Sequence, residues 1–272
     1  MKQVSKKEAS QFIEDGFFIG RAVFPRELAE AILPQVWARL SIDPTNPSTW
    51  THSFVILKEI LLDEPIPQIF KSRYLEIIDD LCGASRWEAS SGVGYWPISF
   101  PNFSGDKWRP TEKWHLDYTA DERCFNPPKL GLIAFHFFSD IVPGDGGTAI
   151  RIGSHKSVAR ILPQIGAEGL PKLEFSRHAA ATTNHLPYLE ATGRIGDVLF
   201  LHPLTVHSTS FNNSNRIRVL GHKLFHLSTQ MNLPRKNRAD HSLVERAIEE
   251  NVLKVQNPDR ETEEQQHSFT RE

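Results

Sequence analysis

Apolar residues in the first third of the chain recur at the spacing of helices that bury one face. Ser5 and Glu8 form a capping-box pattern ahead of Phe12 and Ile13, and Gly16 follows at a position suited to end a helix. Further helices are predicted after Pro25 with a disturbance at Pro34, over residues 66–70 and over residues 74–81, which together give an N-terminal helical layer of about residues 1–85.

From about residue 90 the pattern changes to short apolar runs separated by turn residues, which is typical of strands. The run at residues 198–201 is apolar on both faces, as in a sheet with helices outside and a packed interior. Several such strands in succession indicate a double-stranded β-helix, the jelly-roll barrel of cupin-like proteins. Strands are predicted over residues 92–99, 114–118, 130–138, 148–152, 197–201, 205–208 and 217–227.

The fold class that we predict is therefore mainly β with flanking α-helices. At 272 residues the chain is interpreted as a single domain of residues 1–255, because barrels of this kind reach this size as one unit. The helical layer is followed by a jelly-roll core at about residues 90–228 and by a C-terminal helix at about residues 241–254. Residues 256–272, rich in Glu, Gln and Arg, are predicted to be a charged, disordered tail.

Composition and charge exclude several classes of function. A formal net charge of −2 gives no concentrated basic patch, which argues against a nucleic-acid partner. No apolar run is long enough to span a bilayer, and the first residues lack the apolar segment of a secretion signal. Cys82 and Cys124 form neither a disulfide framework nor a zinc-binding pair, so we expect free thiols and a cytoplasmic location.

The most informative residues are His115 and Asp117, which lie two positions apart on a predicted strand. Side chains alternate along a strand, so these two should point to one side and Leu116 to the other. A His-X-Asp tripeptide also occurs by chance as an ordinary hydrogen-bonded pair, and a further histidine is needed for a metal site. Two imidazoles and one carboxylate hold non-haem ferrous iron and leave positions open for reactants, which suits oxygen chemistry.

His207 is the candidate third ligand, because it lies at the end of the run of residues 196–206 and comes from a different strand. His202, His222 and His226 compete for this position. His202 differs from His207 by an odd number of residues and precedes a proline, so it should point elsewhere and is interpreted as structural.

Arg218 lies eleven residues after His207, on the predicted strand that follows the turn at residues 212–215. An antiparallel return from this turn would bring Arg218 beside His207 in the same pocket. A guanidinium grips a carboxylate through two hydrogen bonds, so Arg218 suits the remote carboxylate of a dicarboxylic co-substrate. Arg216 has the same strand parity and is the alternative.

The chain resembles the phytanoyl-CoA dioxygenase (PhyH-like) family of Fe(II)- and 2-oxoglutarate-dependent oxygenases. The resemblance is carried by His-X-Asp, the distal histidine and the arginine eleven residues later, and it spans roughly residues 5–228. A second family segment is present as residues 146–155, in which Ile152 stands where the family has proline. The segments at residues 196–200 and 15–18 also fit the family pattern.

This resemblance implies the roles of individual residues. His115, Asp117 and His207 would bind Fe(II), and Arg218 would bind the remote carboxylate of 2-oxoglutarate, with dioxygen as the second co-substrate. Thr209 matches a hydroxyl that assists this arginine, and Phe135 matches an aromatic wall of the co-substrate pocket. Thr148 is a further candidate.

The implied reaction is hydroxylation of an unactivated C–H bond of a small metabolite or natural-product intermediate, with release of succinate and CO2. In related halogenases a small residue replaces the carboxylate ligand, whereas Asp117 is retained here, which favours hydroxylation over halogenation. Desaturation, ring closure and epimerisation stay open, as do the substrate and the oligomeric state.

Residues that could line the substrate pocket are less specific. Two long connections, at residues 101–113 and 163–192, are interpreted as lids that could close over a substrate. The candidate pocket residues are Trp96, Trp108, Tyr118, Phe137 and Arg123, with Arg109 as a second possible anion receptor.

Two other functions remain open at this point. One is a non-catalytic jelly-roll module that binds a small molecule. The other is a cupin-like metal oxygenase that needs no 2-oxoglutarate, in which Arg218 would be dispensable.

Overall fold

Six α-helices and eleven strands form the regular structure of the computed structural model, which describes residues 3–50, 52–101, 107–117, 123–124, 128–165, 169–233 and 237–256. The helices are α1 (Lys6–Asp15), α2 (Arg26–Leu40), α3 (Ser72–Cys82), α4 (Ser154–Ala159), α5 (Lys172–Thr182) and α6 (Leu243–Gln256). The strands are β1 (Phe17–Gly20), β2 (Phe54–Leu57), β3 (Trp96–Ser99), β4 (Arg123–Cys124), β5 (Leu130–Phe137), β6 (Ala149–Arg151), β7 (Leu170–Pro171), β8 (Tyr188–Glu190), β9 (Val198–Leu201), β10 (His207–Ser208) and β11 (Arg218–His226). Short 3-10 helices lie at Pro47–Thr49, Ile66–Ile69, Leu162–Gln164 and Arg238–Asp240.

The larger sheet has six strands in the order β1-β9-β5-β11-β3-β2, and every neighbouring pair is antiparallel. Its central strands, β5 and β11, pair over most of their length. All eight residues of β5 are buried, as expected for a strand that is covered on both faces.

The two faces of this sheet bury different sets of side chains. On one face Ile133, Phe135 and Leu220 belong to a cluster that also contains Ile150 of β6. That shared cluster places the smaller sheet, β10-β6-β8, against this inner face. The result is two facing antiparallel sheets with helices outside them, which confirms the predicted fold class: mainly β, of the jelly-roll type.

Helices cover the outer face of the larger sheet. Tyr74 of α3 stacks on His136 of β5 with ring centroids 5.4 Å apart, and its hydroxyl lies 2.9 Å from Nε2 of that ring. Phe12 of α1 packs edge-on against Phe18 of β1. The capping box predicted for α1 is present, since Ser5 and Glu8 bond each other's backbone N–H groups. These contacts fix the helices to the back of the sheet, away from its inner face.

Residues 1–85 supply two strands as well as helices, which the sequence pattern does not predict. β1 pairs with β9 at one edge of the larger sheet, and β2 pairs with β3 at the other. Each is only four residues long, so its apolar pattern is too short to separate strand from helix.

The connection at residues 163–192, interpreted from the sequence as a long insertion that could act as a lid, contains regular structure of its own. It includes α5, which buries Phe175 and Ala179, and β8, which pairs with β6. The predicted strand at residues 114–118 is likewise reduced to a single bridge, His115 to His207. Both segments pair with distant parts of the chain, β8 with β6 and His115 with His207, and a local pattern does not contain that information.

At the C-terminus, α6 lies where a helix is predicted, and the predicted tail after Gln256 falls outside the described residues. Among the described helices, none is both long enough and apolar enough to cross a membrane.

Candidate metal centre

His115 and Asp117 lie side by side on the segment that leads into the smaller sheet. Nε2 of His115 is 3.6 Å from Oδ1 of Asp117. Leu116, between them, is buried on the opposite side in the core, and its backbone N–H donates to Oγ of Ser176 on α5. The side chains of His115, Leu116 and Asp117 therefore alternate in direction as in a strand, although only His115 forms a β-bridge.

His207 reaches the same point from β10. Its backbone pairs with that of His115 in an antiparallel bridge, N–H to O in both directions at 2.9 and 3.0 Å. This pairing brings the two imidazole rings to 4.4 Å, and Nε2 of His207 to 3.3 Å from Oδ2 of Asp117. One ligand atom from each of the three residues lies within 4.8 Å of the others, a separation at which a single ion could bind all three.

Hydrogen bonds to backbone carbonyls orient both imidazole rings with Nε2 toward Asp117. Nδ1 of His115 is 2.8 Å from the carbonyl oxygen of Lys113, and Nδ1 of His207 is 3.0 Å from that of Thr205. A carbonyl can only accept, so each Nδ1 carries a hydrogen, and Nε2 is the nitrogen of each neutral ring that is left to bind a metal. Metal-binding histidines characteristically donate their second ring nitrogen in this way.

The ionisation of these groups also suits a cation. Burial alone would raise the pKa of Asp117, but His222, His207 and His115 together lower this pKa well below its ordinary value. Burial lowers the pKa of His207, which favours the neutral imidazole that binds a metal. Burial opposes protonation of His115, yet hydrogen bonding to Asp117 raises its pKa, so a metal ion would displace a proton from Nε2 of this ring on binding. An ionised carboxylate beside two imidazoles fits a divalent cation.

His222, considered from the sequence only as a rival third ligand, lies next to this group. Its Nε2 is 3.0 Å from Oδ2 of Asp117, and its ring stacks on Phe135 with centroids 4.7 Å apart. His222 projects from β11, four residues after Arg218. Because side chains an even number of residues apart on a strand share a face, this spacing could have placed His222 in the same cavity as Arg218 from the sequence. His202 is buried in the core against Phe12 and Val244, as its parity suggests.

Arg218 is buried at the start of β11, with 2% of its surface exposed. Its Nε donates to the carbonyl of Gly146 at 2.9 Å, and Nη1 donates to that of Pro97 at 2.8 Å. Burial lowers its pKa to about 10, against the opposing charge of Glu190. No carboxylate of the described residues lies within ion-pair distance of Arg218. A buried guanidinium that forms no direct ion pair, with the charge of Glu190 acting only from beyond 4 Å, has the properties of an anion-binding group.

Arg216 has a different environment. Its side chain is 49% exposed, and Nη2 bonds both oxygens of Asp145 at 2.8 Å. Its guanidinium is therefore occupied by a carboxylate of the protein, outside the cavity that Arg218 lines.

The strand that carries Arg218 does not pair with β10, which corrects the expected hairpin. β11 pairs with β5 and β3 in the larger sheet, whereas β10 belongs to the smaller one. The turn expected from its asparagines is present: Oδ1 of Asn212 accepts from Ser214, and Nδ2 donates to the carbonyls of Ser99 and Arg216. This turn carries the chain from one sheet to the other, so Arg218 and His207 approach from facing sheets.

A cavity of about 840 Å³ lies between the sheets and contains the inward side chains of this group. Phe135, Thr148 and Thr209 line it, together with His226. The hydroxyl of Thr209 lies 2.7 Å from that of Thr111, and no hydrogen bond joins it to Arg218 among the described residues.

The pocket residues suggested by the sequence are placed differently. Trp96 is fully buried against Phe138 on the outer face, because Tyr95 and Pro97 take the inward positions of that strand. Phe137 lies in the inner apolar cluster beyond the cavity. Trp108 donates from Nε1 to Oγ of Ser210 and does not line the cavity. Tyr118 and the side chain of Arg123 fall outside the described residues.

Two imidazoles and a carboxylate between facing jelly-roll sheets define a candidate mononuclear non-haem metal centre. The family model for phytanoyl-CoA dioxygenase (PhyH) matches residues 27–220, and the chain belongs to this family. It therefore falls in the general class of iron- and 2-oxoglutarate-dependent oxygenases.

Solved structures with the same fold come from this class. The carbocyclase SnoK from nogalamycin biosynthesis is 17% identical, with a TM-score of 0.52 over 83% of this chain and 85% of SnoK. EctD from S. alaskensis, solved with 2-oxoglutarate and 5-hydroxyectoine, is 16% identical, with a TM-score of 0.54 over 82% of this chain and 76% of EctD. The epimerase SnoN, in complex with Fe3+, alpha ketoglutarate and nogalamycin RO, is 18% identical, with a TM-score of 0.53 over 83% of this chain and 84% of SnoN. No curated protein sequence matches the chain.

Proposed function

We propose that this protein is a 2-oxoglutarate-dependent hydroxylase that oxidises an unactivated C–H bond of a small organic molecule. The observation that carries the proposal is the convergence of His115, Asp117 and His207, whose donor atoms lie within 4.8 Å of one another, on one cavity with the buried Arg218. The fold and the family give the reaction class, and the placement of these four side chains supports its assignment to this cavity.

In this proposal His115, Asp117 and His207 are the iron ligands. The two Nδ1 hydrogen bonds to backbone carbonyls hold the rings with Nε2 toward Asp117, and the low pKa of Asp117 keeps the carboxylate ionised. When bound, ferrous iron and 2-oxoglutarate supply the oxidising chemistry: dioxygen is consumed, succinate and CO2 leave, and one oxygen atom enters the substrate. Retention of Asp117 as a ligand favours hydroxylation over halogenation.

Arg218 is proposed to bind the remote carboxylate of 2-oxoglutarate. Two of its nitrogens are fixed by the carbonyls of Gly146 and Pro97, so the guanidinium plane is set before the co-substrate arrives. Its remaining N–H groups can donate to a carboxylate. Phe135 supplies an apolar wall, and Thr148 and Thr209 supply hydroxyls on the cavity surface.

Arg218 also argues against the two other candidate functions. A binding module or an oxygenase without a dicarboxylic co-substrate gives no reason to bury a guanidinium that, among the described residues, forms no ion pair within 4 Å and has only the more distant charge of Glu190 near it. The position of the cavity also supports an oxygenase. The two sheets enclose the proposed site on two sides, so the protein can orient a C–H bond of the substrate and exclude bulk water from the reacting groups.

The test is spectroscopic and does not need the substrate. Anaerobic addition of Fe(II) and then 2-oxoglutarate should produce a weak visible charge-transfer band in the wild-type protein and none in Asp117→Ala. Asp145→Asn, which changes a carboxylate outside the cavity, is the control and should keep the band. A band of equal intensity in Asp117→Ala would refute the ligand assignment.

A further inference from the structure

Resting on the function proposed above, we infer that the primary substrate presents an extended apolar surface, of the size of a fused bicyclic ring or larger, to one wall of the cavity. This wall, here called the apolar rim, consists of Ile56, Ile60 and Tyr95, with Leu62 beside them. A small, fully polar metabolite would leave it in contact with water.

The apolar rim concentrates exposed hydrophobic side chains at the cavity. Ile56, Ile60 and Tyr95 all line the cavity and are 44%, 61% and 51% exposed, and the neighbouring Leu62 is 57% exposed. Only three other large hydrophobic residues of the described part of the chain are exposed: Val142, Leu173 and Tyr188. Single exposed apolar residues are ordinary, but a contiguous group at a cavity marks a ligand-binding surface.

Backbone structure fixes the rim in place. Leu61 and Val93 form a two-way antiparallel bridge, with N–H to O distances of 2.8 and 3.1 Å. A Cβ added at Gly92 or Gly94 would come within 2.7 Å of the side chain of Ile60. The absence of side chains at these two glycines therefore lets Ile60 lie directly over the strand segment that leads to Tyr95.

Tyr95 has a backbone conformation that few aromatic residues adopt. Its φ is +50°, in the left-handed region, which is strained for a residue with a side chain. The backbone N–H of His222 lies 3.1 Å from the carbonyl oxygens of both Gly94 and Tyr95, and the two rings meet edge to face at 6.3 Å. The rim is thereby joined to the strand that carries His222 and Arg218.

Size and polarity narrow the substrate class further. A volume of about 840 Å³ is toward the upper end of the range of about 300–1,000 Å³ for small-molecule pockets, and 2-oxoglutarate alone fills only a minor part of it. His226, which lines the cavity at the opposite end of β11 from Arg218, has beside it Glu88, whose backbone N–H donates to the carbonyl of His226. Glu88 and Ser90 also line the cavity and can form hydrogen bonds. We therefore assign to the substrate an apolar body against the rim and hydroxyl or amino substituents toward these residues.

The experiment uses 2-naphthol, a neutral bicyclic probe, and ligand-observed saturation-transfer NMR on the full chain without metal. The rim variants Ile56→Ser and Ile60→Ser should each bind the probe about tenfold more weakly, because each removes apolar contact area. Val142→Ser, at an exposed apolar residue outside the cavity, is the matched control and should bind like the wild type. Unchanged binding in both rim variants would overturn the inference. Since both side chains face solvent, thermal unfolding of the variants should match that of the wild type.

A second measurement separates this inference from the proposed function. With Mn(II) bound, the probe resonances should broaden, because the rim and the proposed ligands share one cavity. Probe binding without broadening, while electron paramagnetic resonance reports bound Mn(II), would mean that the rim is not the substrate wall. Failure of Mn(II) to bind with probe binding intact would refute the metal centre and leave the rim as a binding surface only. A wild-type dimer that Ile60→Ser converts to a monomer would show that the rim is an interface between copies, which also overturns the inference.

Discussion

Nε2 of His222 lies 3.0 Å from Oδ2 of Asp117, closer to this carboxylate than either proposed histidine ligand, at 3.3 and 3.6 Å. Since His222 comes from the larger sheet and Asp117 from the opposite side of the cavity, the contact ties the two walls together. A hydrogen bond to one oxygen fixes the plane of a carboxylate and leaves the other oxygen to bind a metal.

Replacing His222 should therefore weaken metal binding. We expect His222→Ala to bind Co(II) about 10–100-fold more weakly than the wild type, the usual cost of losing a partner that orients a ligand. His222→Gln, whose amide can still donate, should recover most of this loss. The measurement is a Co(II) titration followed by visible absorption. His226→Ala, which lines the same cavity without contacting Asp117, is the control, and equal affinities of His222→Ala and the wild type would contradict the prediction.

The two arginines of β11 and its preceding turn should differ sharply in their effect on co-substrate binding. Arg218→Ala should lower the affinity for 2-oxoglutarate about 100-fold, because a buried carboxylate would lose its charged partner. Arg218→Lys keeps the charge but not the planar fork, and an intermediate affinity is expected. Arg216→Ala removes only the pair with Asp145 and should leave the affinity unchanged. Anaerobic calorimetry with Fe(II) present measures the 2-oxoglutarate affinity of all three variants. A larger loss of affinity in Arg216→Ala than in Arg218→Ala would assign the remote carboxylate to Arg216 instead of Arg218.

The turn at residues 144–147, whose Gly146 carbonyl accepts a hydrogen bond from Arg218, should tolerate a methyl group at Gly144 and not at Gly147. A Cβ at Gly147 would lie 2.3 Å from the backbone oxygen of Ala191, whereas a Cβ at Gly144 would meet nothing within 4 Å. We expect Gly147→Ala to lower the free energy of unfolding by about 2–3 kcal/mol. Gly144→Ala should cost about 1 kcal/mol, because only its φ of +95° is unfavourable for alanine.

Urea unfolding measures the free energy of unfolding of Gly147→Ala and Gly144→Ala. Gly147→Ala should also weaken 2-oxoglutarate binding, since the neighbouring carbonyl of Gly146 positions Arg218. Equal stability and equal co-substrate affinity in the two variants would contradict this role of the turn.

Acid should remove one identifiable contribution to stability. Burial alone would raise the pKa of Glu245, but bonds from Arg86, at 2.5 and 2.7 Å, and from the backbone N–H groups of Ser242 and Asn232 lower this pKa to about 2. Because the pKa is depressed in the folded state, the stabilisation is complete above pH 4.5 and is lost as the pH falls toward 2. It amounts to about 3 kcal/mol at most.

Glu245→Gln should therefore lose stability at pH 7 and show a flatter decline between pH 4.5 and 2 than the wild type. Glu250→Gln, one turn further along α6 and more exposed, is the control and should keep the wild-type slope. Urea unfolding at pH 3, 5 and 7 gives the comparison, and identical slopes for all three proteins would count against the Arg86 and Glu245 pair.

The sequence predicted the fold class because its informative segments are long and strongly patterned. β5 and β11 are eight and nine residues long, and the spacing of their apolar residues indicates strand structure. The capping box of α1 depends only on Ser5 and Glu8, which lie three residues apart, so local sequence suffices.

The metal site could be proposed from the sequence because its spacing is partly local. His115 and Asp117 share a side through strand alternation, and the family pattern supplies His207 and Arg218. Pairing between distant strands is not encoded in this way. The crossing from β10 to β11 was therefore predicted as a hairpin, and His222, whose contact with Asp117 spans the cavity, could be named only as a competitor.

Substrate-side residues were the least predictable. Tyr95 and Trp96 are neighbours, and successive side chains of a strand point to opposite faces, so only one of the two can face the cavity. The sequence does not show which one. The left-handed backbone at Tyr95 lies at that point, and nothing in the local pattern announces it. Aromatic content alone therefore directed attention to Trp96, which belongs to the core.

β1 and β2, contributed by the first sixty residues, form the two outermost strands of the larger sheet. Trimming the chain to begin near residue 90 would uncover the hydrogen-bonding backbone of β9 on one side and of β3 on the other. Exposed strand edges recruit other chains, so such a fragment should self-associate even though every proposed metal ligand would still be present.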